Sequence, residues 1–230
     1  MINNVRNTVM SILSKDNRGY ITPLEFNLWA KQAQMEIFEE DFYNLSNSLI
    51  KQTNRVNSSG YSDMVTAFTE NIERFREVAN STYSNGYFSL PTDLHLIENV
   101  IYNGTTEVEK VPGHKILALN RSLDTAPTTL YPAYVKSNDG LQIYPTTIQS
   151  SVTITYIRVP KDPKWTYTSL SAGEPVFNQS ANDYQDFELP LVYEPRLVVK
   201  ILQYAGISIG ENEIASAASN AETQDKQEKL

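Results

Sequence analysis

The chain has 230 residues, 40% of them apolar and 20% charged, which supports a folded core and excludes disorder along the whole length. Its 27 Asp and Glu against 19 Lys and Arg give a formal charge of -8, which argues against a surface built to grip nucleic-acid phosphates. Cysteine is absent, so disulfide scaffolds, Cys-ligated zinc, iron–sulfur clusters and thiol catalysis are excluded, and a reducing, cytosolic place of synthesis is expected. No apolar run approaches the roughly 20 residues of a membrane span. The opening Met1-Ile-Asn-Asn-Val-Arg6 lacks a secretory pattern, so an unsecreted protein with no membrane partner is expected.

The first third reads as helical. Val5, Val9, Met10 and Ile12 recur at helical spacing before the polar turn Lys15-Asp-Asn-Arg-Gly19. A stronger start follows: Thr22 as N-cap, Pro23 in the first helical position and Glu25 three residues after the cap form a capping box. Phe26, Trp29, Ala30, Ala33, Ile37, Phe38, Phe42, Leu45 and Leu49 then recur at steps of three and four, which predicts a long helix to about Lys51. After a polar loop ending in Ser58-Ser-Gly60, Met64, Phe68, Ile72, Phe75 and Val78 predict a third helix over Asp63 to Asn80.

At Asn85-Gly86 the period turns strand-like. Tyr87 to Pro91 and Leu96 to Tyr102 read as strands, and Asn103-Gly104 is a hairpin signal because both positions tolerate positive φ. A short helix over Lys115 to Leu119 is followed by a second hairpin, Ala133 to Lys136 and Leu141 to Tyr144, around Asn138-Asp-Gly140. Val152 to Val159 alternates most cleanly and stops at Pro160. A last helix is predicted over Pro195 to Ala205, with Leu197, Val198, Ile201 and Leu202 on one face and Gly206 as its stop. Gly210 to Leu230 has almost no core-forming residues and reads as a weak helix or as an arm that orders against a partner.

The expected fold class is therefore α+β: a helical bundle of three N-terminal helices plus the C-terminal helix, carrying a β-rich insertion and ending in an extended arm. The expected division is 1–84 with 188–209 for the bundle, 85–187 for the insertion and 210–230 for the arm. Trp29, Phe38, Phe68, Ile72, Val198 and Ile201 are expected to face inward.

Catalytic chemistry finds little purchase. Ser14 to Glu25 imitates a calcium loop, with Asp16, Gly19, Ile21 and Glu25 in suggestive places, but Arg18 sets a cation where calcium needs an anion. A turn followed by a capped helix explains the same residues, so no metal is expected. His95 lies two residues after Asp93 and His114 stands apart, so both read as surface or turn residues. Glu39-Glu40-Asp41 shares a polar helix face, where carboxylates are normally solvated. No phosphate loop, nucleophile elbow or dinucleotide fingerprint occurs, so neither a cofactor nor catalytic residues are assigned. Six Asn-x-Ser/Thr sequons (Asn44, Asn57, Asn80, Asn103, Asn120, Asn178) follow from the composition and are not read as glycosylation sites. Two features point to interaction: the arm, and tyrosines of the β block at 87, 102, 131, 134, 144, 156 and 167, which fit interface use and ordinary strand propensity equally well.

Three segments together resemble a family. Gly19-Tyr-Ile-Thr-Pro-Leu-Glu-Phe-Asn-Leu-Trp-Ala-Lys-Gln-Ala-Gln34, Tyr156-Ile-Arg-Val-Pro-Lys-Asp-Pro-Lys-Trp165, and Asp186-Phe-Glu-Leu-Pro190 with Val199 to Ile209 are similar to head-to-tail adaptor, or ring, proteins of short-tailed bacteriophages of the crAss-like type. The motifs are structural and none is a catalytic signature. The resemblance implies a virion connector subunit made in the host cytoplasm. It implies a homo-oligomeric ring of roughly twelve copies below the portal protein, extending the channel for double-stranded DNA and seating the next ring or tail protein. It also implies a C-terminal arm reaching the portal, with Ile209, Gly210, Ile214 and Leu230 as partner-binding candidates. An acidic lumen would let DNA slide. The competing expectations are a phage-associated hydrolase of host surface or wall glycan, which needs a cleft with coupled carboxylates, and a calcium-regulated binding module.

Overall fold

The computed structural model describes residues 1–14, 20–53, 66, 69–171 and 173–209. The fold is α+β. Its elements are α1 (Ile2–Ser14), α2 (Pro23–Thr53), β1 (Arg76–Ser81), β2 (Tyr83–Ser84), β3 (Tyr87–Phe88), β4 (Leu94–Tyr102), β5 (Thr106–Glu107), β6 (Glu109–Lys110), α3 (Gly113–Arg121), β7 (Ala133–Ser137), β8 (Gly140–Tyr144), β9 (Val152–Arg158), β10 (Tyr167–Ser169), β11 (Pro175–Phe177), a 3-10 turn at Leu191–Tyr193 and α4 (Glu194–Ile209). The chain divides into two compact units, one from Met1–Asn71 together with the chain from Pro160, the other Ile72–Val159. No helix among the described residues is long and apolar enough to cross a membrane.

In the first unit, α1 buries Ile2, Val5, Val9 and Leu13, a stripe at steps of three and four. On α2 the buried set is Phe26, Ala30, Ala33, Ile37 and Phe38, and on α4 it includes Leu197, Ile201 and Ala205, one per turn. Both α1 and α2 pack on α4. Alanines on α2 and α4 let the backbones approach where a longer side chain would hold them apart. Of the residues expected inward, Phe38, Ile72, Val198 and Ile201 are buried, Trp29 is half-buried, and Phe68 lies outside the described residues.

The capping box forms as read from sequence. Glu25 accepts from the Thr22 backbone N–H at 2.9 Å and from its hydroxyl at 2.7 Å, while Thr22 Oγ1 accepts from the Glu25 N–H at 3.3 Å. Those hydrogen bonds lower the Glu25 pKa. Gly206 does not stop the last helix: it is buried inside α4, which runs on to Ile209. Glycine costs a helix interior only about 1 kcal/mol, which the packed face of α4 offsets, so the helix continues past it.

Residues 160–187, assigned by composition to the insertion, belong to the first unit. They form a strap held by two amides of α2 spaced seven apart, hence on one face. Asn27 donates to the Trp165 carbonyl at 3.2 Å and accepts from its N–H at 2.8 Å. Gln34 donates to the Lys161 carbonyl at 2.8 Å and accepts from the Glu188 N–H at 3.0 Å. Trp165 is 2% exposed, with the Arg6 guanidinium 3.9 Å from its ring centroid and Tyr167 and Phe177 stacked near it.

The second unit contains two sheets. One has the antiparallel order β1-β9-β4-β5, the other the order β2-β3-β8-β7-β6, with β6 and β7 parallel. Val100, Ile154 and Tyr156 from the first sheet and Phe88, Leu141 and Ile143 from the second share one core. Helix α3 lies against β7. The third predicted helix is corrected here. Residues 69–73 are helical, but 76–81 are β1, paired with β9 from Arg76↔Ile157 to Ser81↔Val152. The apolar stripe therefore ends at Phe75, and Val78 is a strand residue 66% exposed. Sheet pairing, a long-range contact, overrides the local period.

Both predicted hairpins form. Asn103 and Gly104 have φ of 54° and 75°, and Gly140 has φ 144°. A Cβ on Gly140 would sit 2.3 Å from the Phe88 carbonyl oxygen, which belongs to the neighbouring strand and cannot swing aside. Gly140→Ala is expected to destabilise this unit by about 1–3 kcal/mol, read as a lower urea midpoint at unchanged slope.

Candidate functional site

The most elaborate polar constellation lies between α2 and α4. Glu36 and Glu40 are one turn apart on α2, and Arg196, Lys200 and Tyr204 recur every fourth residue on α4, so the spacing alone makes a stripe on each helix. Lys200 is fully buried, with Nζ 2.9 Å from Glu36 and 3.1 Å from Glu40. Arg196 pairs with Glu40, and Tyr204 donates to Glu36 at 2.9 Å. Tyr193 donates to Asp41 at 2.9 Å and accepts from Asn71 at 2.9 Å.

This corrects the reading of Glu39-Glu40-Asp41 as a solvated face. Glu39 is exposed, but Asp41 is 4% exposed and the Glu40 side chain 19%. The groups that hold them, Arg196 and Lys200 on Glu40 and the Tyr193 hydroxyl on Asp41, lie more than 150 residues away in sequence, beyond the reach of local pattern. Each carboxylate of the seam is engaged by a cation or a hydroxyl, so the arrangement fixes how α4 lies on α2. Of the expected docking residues, Ile209 ends α4, and Gly210, Ile214 and Leu230 lie outside the described residues.

A second anchor sits at the start of α1. Asp186 accepts from the Ile2 N–H at 2.7 Å and from the Phe187 N–H at 2.8 Å, and meets the Met1 ammonium at 2.9 Å. Burial pushes the Asp186 pKa up, but the hydrogen bonds from the ammonium and the two amides outweigh it, and the net shift is downward. A carboxylate lowered in the folded state contributes stability that is present above its unfolded pKa and lost as pH falls through the folded one. Asp186→Asn is expected to cost stability at neutral pH and to flatten the stability-versus-pH curve below about pH 4. Urea midpoints from pH 3 to 7 for both proteins check this.

The exposed surface of the helical unit has its own pattern. Tyr20, Leu24 and Leu28, each four residues after the last, are 59%, 71% and 59% exposed, although the unit has a filled core. Leu191 and Val192 stand out beside α4 in the same way. Among the β-block tyrosines, 134 and 156 are buried, and the Tyr156 hydroxyl donates to Asp93 at 3.1 Å, with its pKa raised to about 12 chiefly by burial. Tyr87, Tyr102 and Tyr144 are half-buried, leaving Tyr131 and Tyr167 exposed. Strand packing thus accounts for five of these seven tyrosines. His95 on β4 and His114 on α3 are both exposed. Of the calcium-like loop, Asp16, Arg18 and Gly19 lie outside the described residues, and among those described no group of three acidic, His or Cys side chains converges to hold a metal ion. No protein-family model and no curated protein matches this chain.

Proposed function

We propose that this chain is a structural subunit of a head-to-tail connector: a helical bundle with a β-rich insertion, assembled as a ring below a portal, with residues 210–230 as a docking arm. The observation that carries the reading is the line of Tyr20, Leu24 and Leu28. A helical unit whose core is already filled keeps large apolar side chains in water when another chain covers them in the assembly. The segments that carry the family resemblance also meet in space, through Asn27 with Trp165 and Gln34 with Lys161 and Glu188. The ionic seam on α4 supports the same reading, because an arm that must reach one partner needs a rigid base.

The arm carries Ile214 and Leu230 as its only large aliphatic residues, and five acids against Lys226 and Lys229. Ordering some twenty residues costs about 1–2 kcal/mol each in backbone entropy, so a partner surface has to offset it. The portal is the proposed partner, with a basic groove for the acidic arm, and the ring passes double-stranded DNA without holding it. The subunit turns over no substrate in this reading. Truncation after Gly210 is expected to leave the melting curve within a degree or two of the full chain while abolishing attachment to portal-bearing heads, scored by electron microscopy. Normal attachment by the truncated protein defeats the docking role, and its unfolding would assign the arm to the core.

A further inference from the structure

Helix α2 carries apolar residues on two opposite sides. At about 100° per residue, Phe26, Ala30, Ala33 and Ile37 share the buried side, and Leu24 and Leu28 fall about 180° from it. With Tyr20 they make a ridge that points away from the core of the unit. The charged neighbour Glu25 is already held by Thr22, so the ridge can be covered without stranding a charge.

The second apolar surface of this unit is the knob of Leu191 and Val192, 72% and 85% exposed. Anchors on both sides hold these two residues out. Leu189 is buried, the Tyr193 amide donates to the Pro190 carbonyl at 3.0 Å, and the Tyr193 hydroxyl donates to Asp41. Pro190 and Pro195 flank the turn and stiffen its backbone. Asp41 lies thirteen residues beyond Leu28, a rise of about 20 Å along α2, and it is buried where Leu28 is exposed. Ridge and knob are therefore separate surfaces.

We infer that the knob of one copy packs on the ridge of the next copy in the ring, with Leu191 entering beside Leu24 and Leu28. This rests on the connector reading and names which faces of the subunit meet. A two-fold contact of ridge on ridge leaves the knob in water, and one of knob on knob leaves the ridge there. A single head-to-tail contact covers both, and it is the repetition of such a contact that closes a ring. Leucines one turn apart have Cβ atoms about 5–6 Å from each other, a spacing that admits an aliphatic side chain beside them. The contact buries large apolar side chains and no charge, which is the composition of an interface core.

The chain has no cysteine, so introduced single cysteines report this contact without background. Leu24→Cys and Val192→Cys each replace an exposed side chain and are expected to keep the parent melting temperature. Leu123→Cys, fully exposed in the other unit, measures chance collision. Full-length variants, one of each pair carrying a size tag, are mixed, assembled on portal-bearing heads, mildly oxidised and separated on non-reducing gels. The disulfide joining Leu24→Cys to Val192→Cys is expected at about tenfold or more over either like-with-like product and over products of Leu123→Cys, because neighbours held in an assembly react at a high effective concentration. A chain carrying both substitutions is expected to give a covalent ladder beyond the dimer.

Rings seen by electron microscopy without that excess overturn the inference and leave the connector reading standing. Absence of rings, with both cysteines open to maleimide, overturns the two together. A dominant like-with-like product assigns a two-fold contact instead. Protection of Val192→Cys from maleimide in dilute monomer shows that the chain covers its own knob. Protection of Leu24→Cys on the heads without the mixed disulfide gives the ridge to the portal. Each of these three results also overturns the inference.

Discussion

Trp165→Ala lowers the stability of the helical unit by about 3–5 kcal/mol, the upper range for truncating a buried aromatic. The ring is 2% exposed, and its loss leaves Arg6, itself 8% exposed, without the π face that it covers at 3.9 Å. The Arg6 Nε has no hydrogen-bond partner, and burial holds the Arg6 pKa below its usual value against the opposing pull of Tyr20, so the ring face and Tyr20 are what support this cation. The Asn3 side chain also loses the indole N–H that it accepts at 3.0 Å. Trp165→Phe keeps part of the stacking and loses only that bond and some area, so about 1–2 kcal/mol is expected. Chemical denaturation followed at the helical CD band separates the two variants. If Trp165→Ala melts with the parent protein, the strap is not part of the core.

Glu40→Gln is expected to cost about 3 kcal/mol, the lower end for breaking a buried ion pair. It removes a charge that Arg196 meets and one of the carboxylates, with Glu36, that lie against Lys200, which has no access to water in which to recover. Lys200→Met changes the sign of the problem, because the methionine tolerates the neutral amide. The double variant Glu40→Gln/Lys200→Met is therefore expected to be clearly less unstable than the sum of the singles. Additive losses in that cycle would show that Lys200 and Glu40 do not act on each other.

How far these residues were legible in the sequence depends on the distance over which their partners act. The capping box of Thr22 and Glu25, the Asn103-Gly104 and Asn138-Asp-Gly140 turns and the alternation of β9 are settled within a few residues, and all formed as read. Arg76 to Ser81 continues a helical stripe by period alone, yet pairs with a strand more than 70 residues later. Asn27 and Gln34 looked like ordinary polar positions of an amphipathic helix, and their use as clips needs the strap beside them. Glu40 and Asp41 looked solvated for the same reason.

The division of the chain has a consequence for the order of events on the ribosome. Residues 72–159 are continuous, so all the strands of their two sheets are present once that stretch has emerged. The helical unit is interrupted by them. Its first portion ends at Asn71, and α4, on which both α1 and α2 pack, ends at Ile209. At about 5–20 residues per second, translation takes roughly 7–28 s to cover that interval. Through it α1 and α2 hold out the apolar stripes of Val5, Val9, Phe26 and Ile37 with no α4 to receive them. A holding chaperone has its longest opportunity there, and synonymous changes that slow synthesis of residues 72–209 lengthen the exposure without altering a single contact of the finished fold.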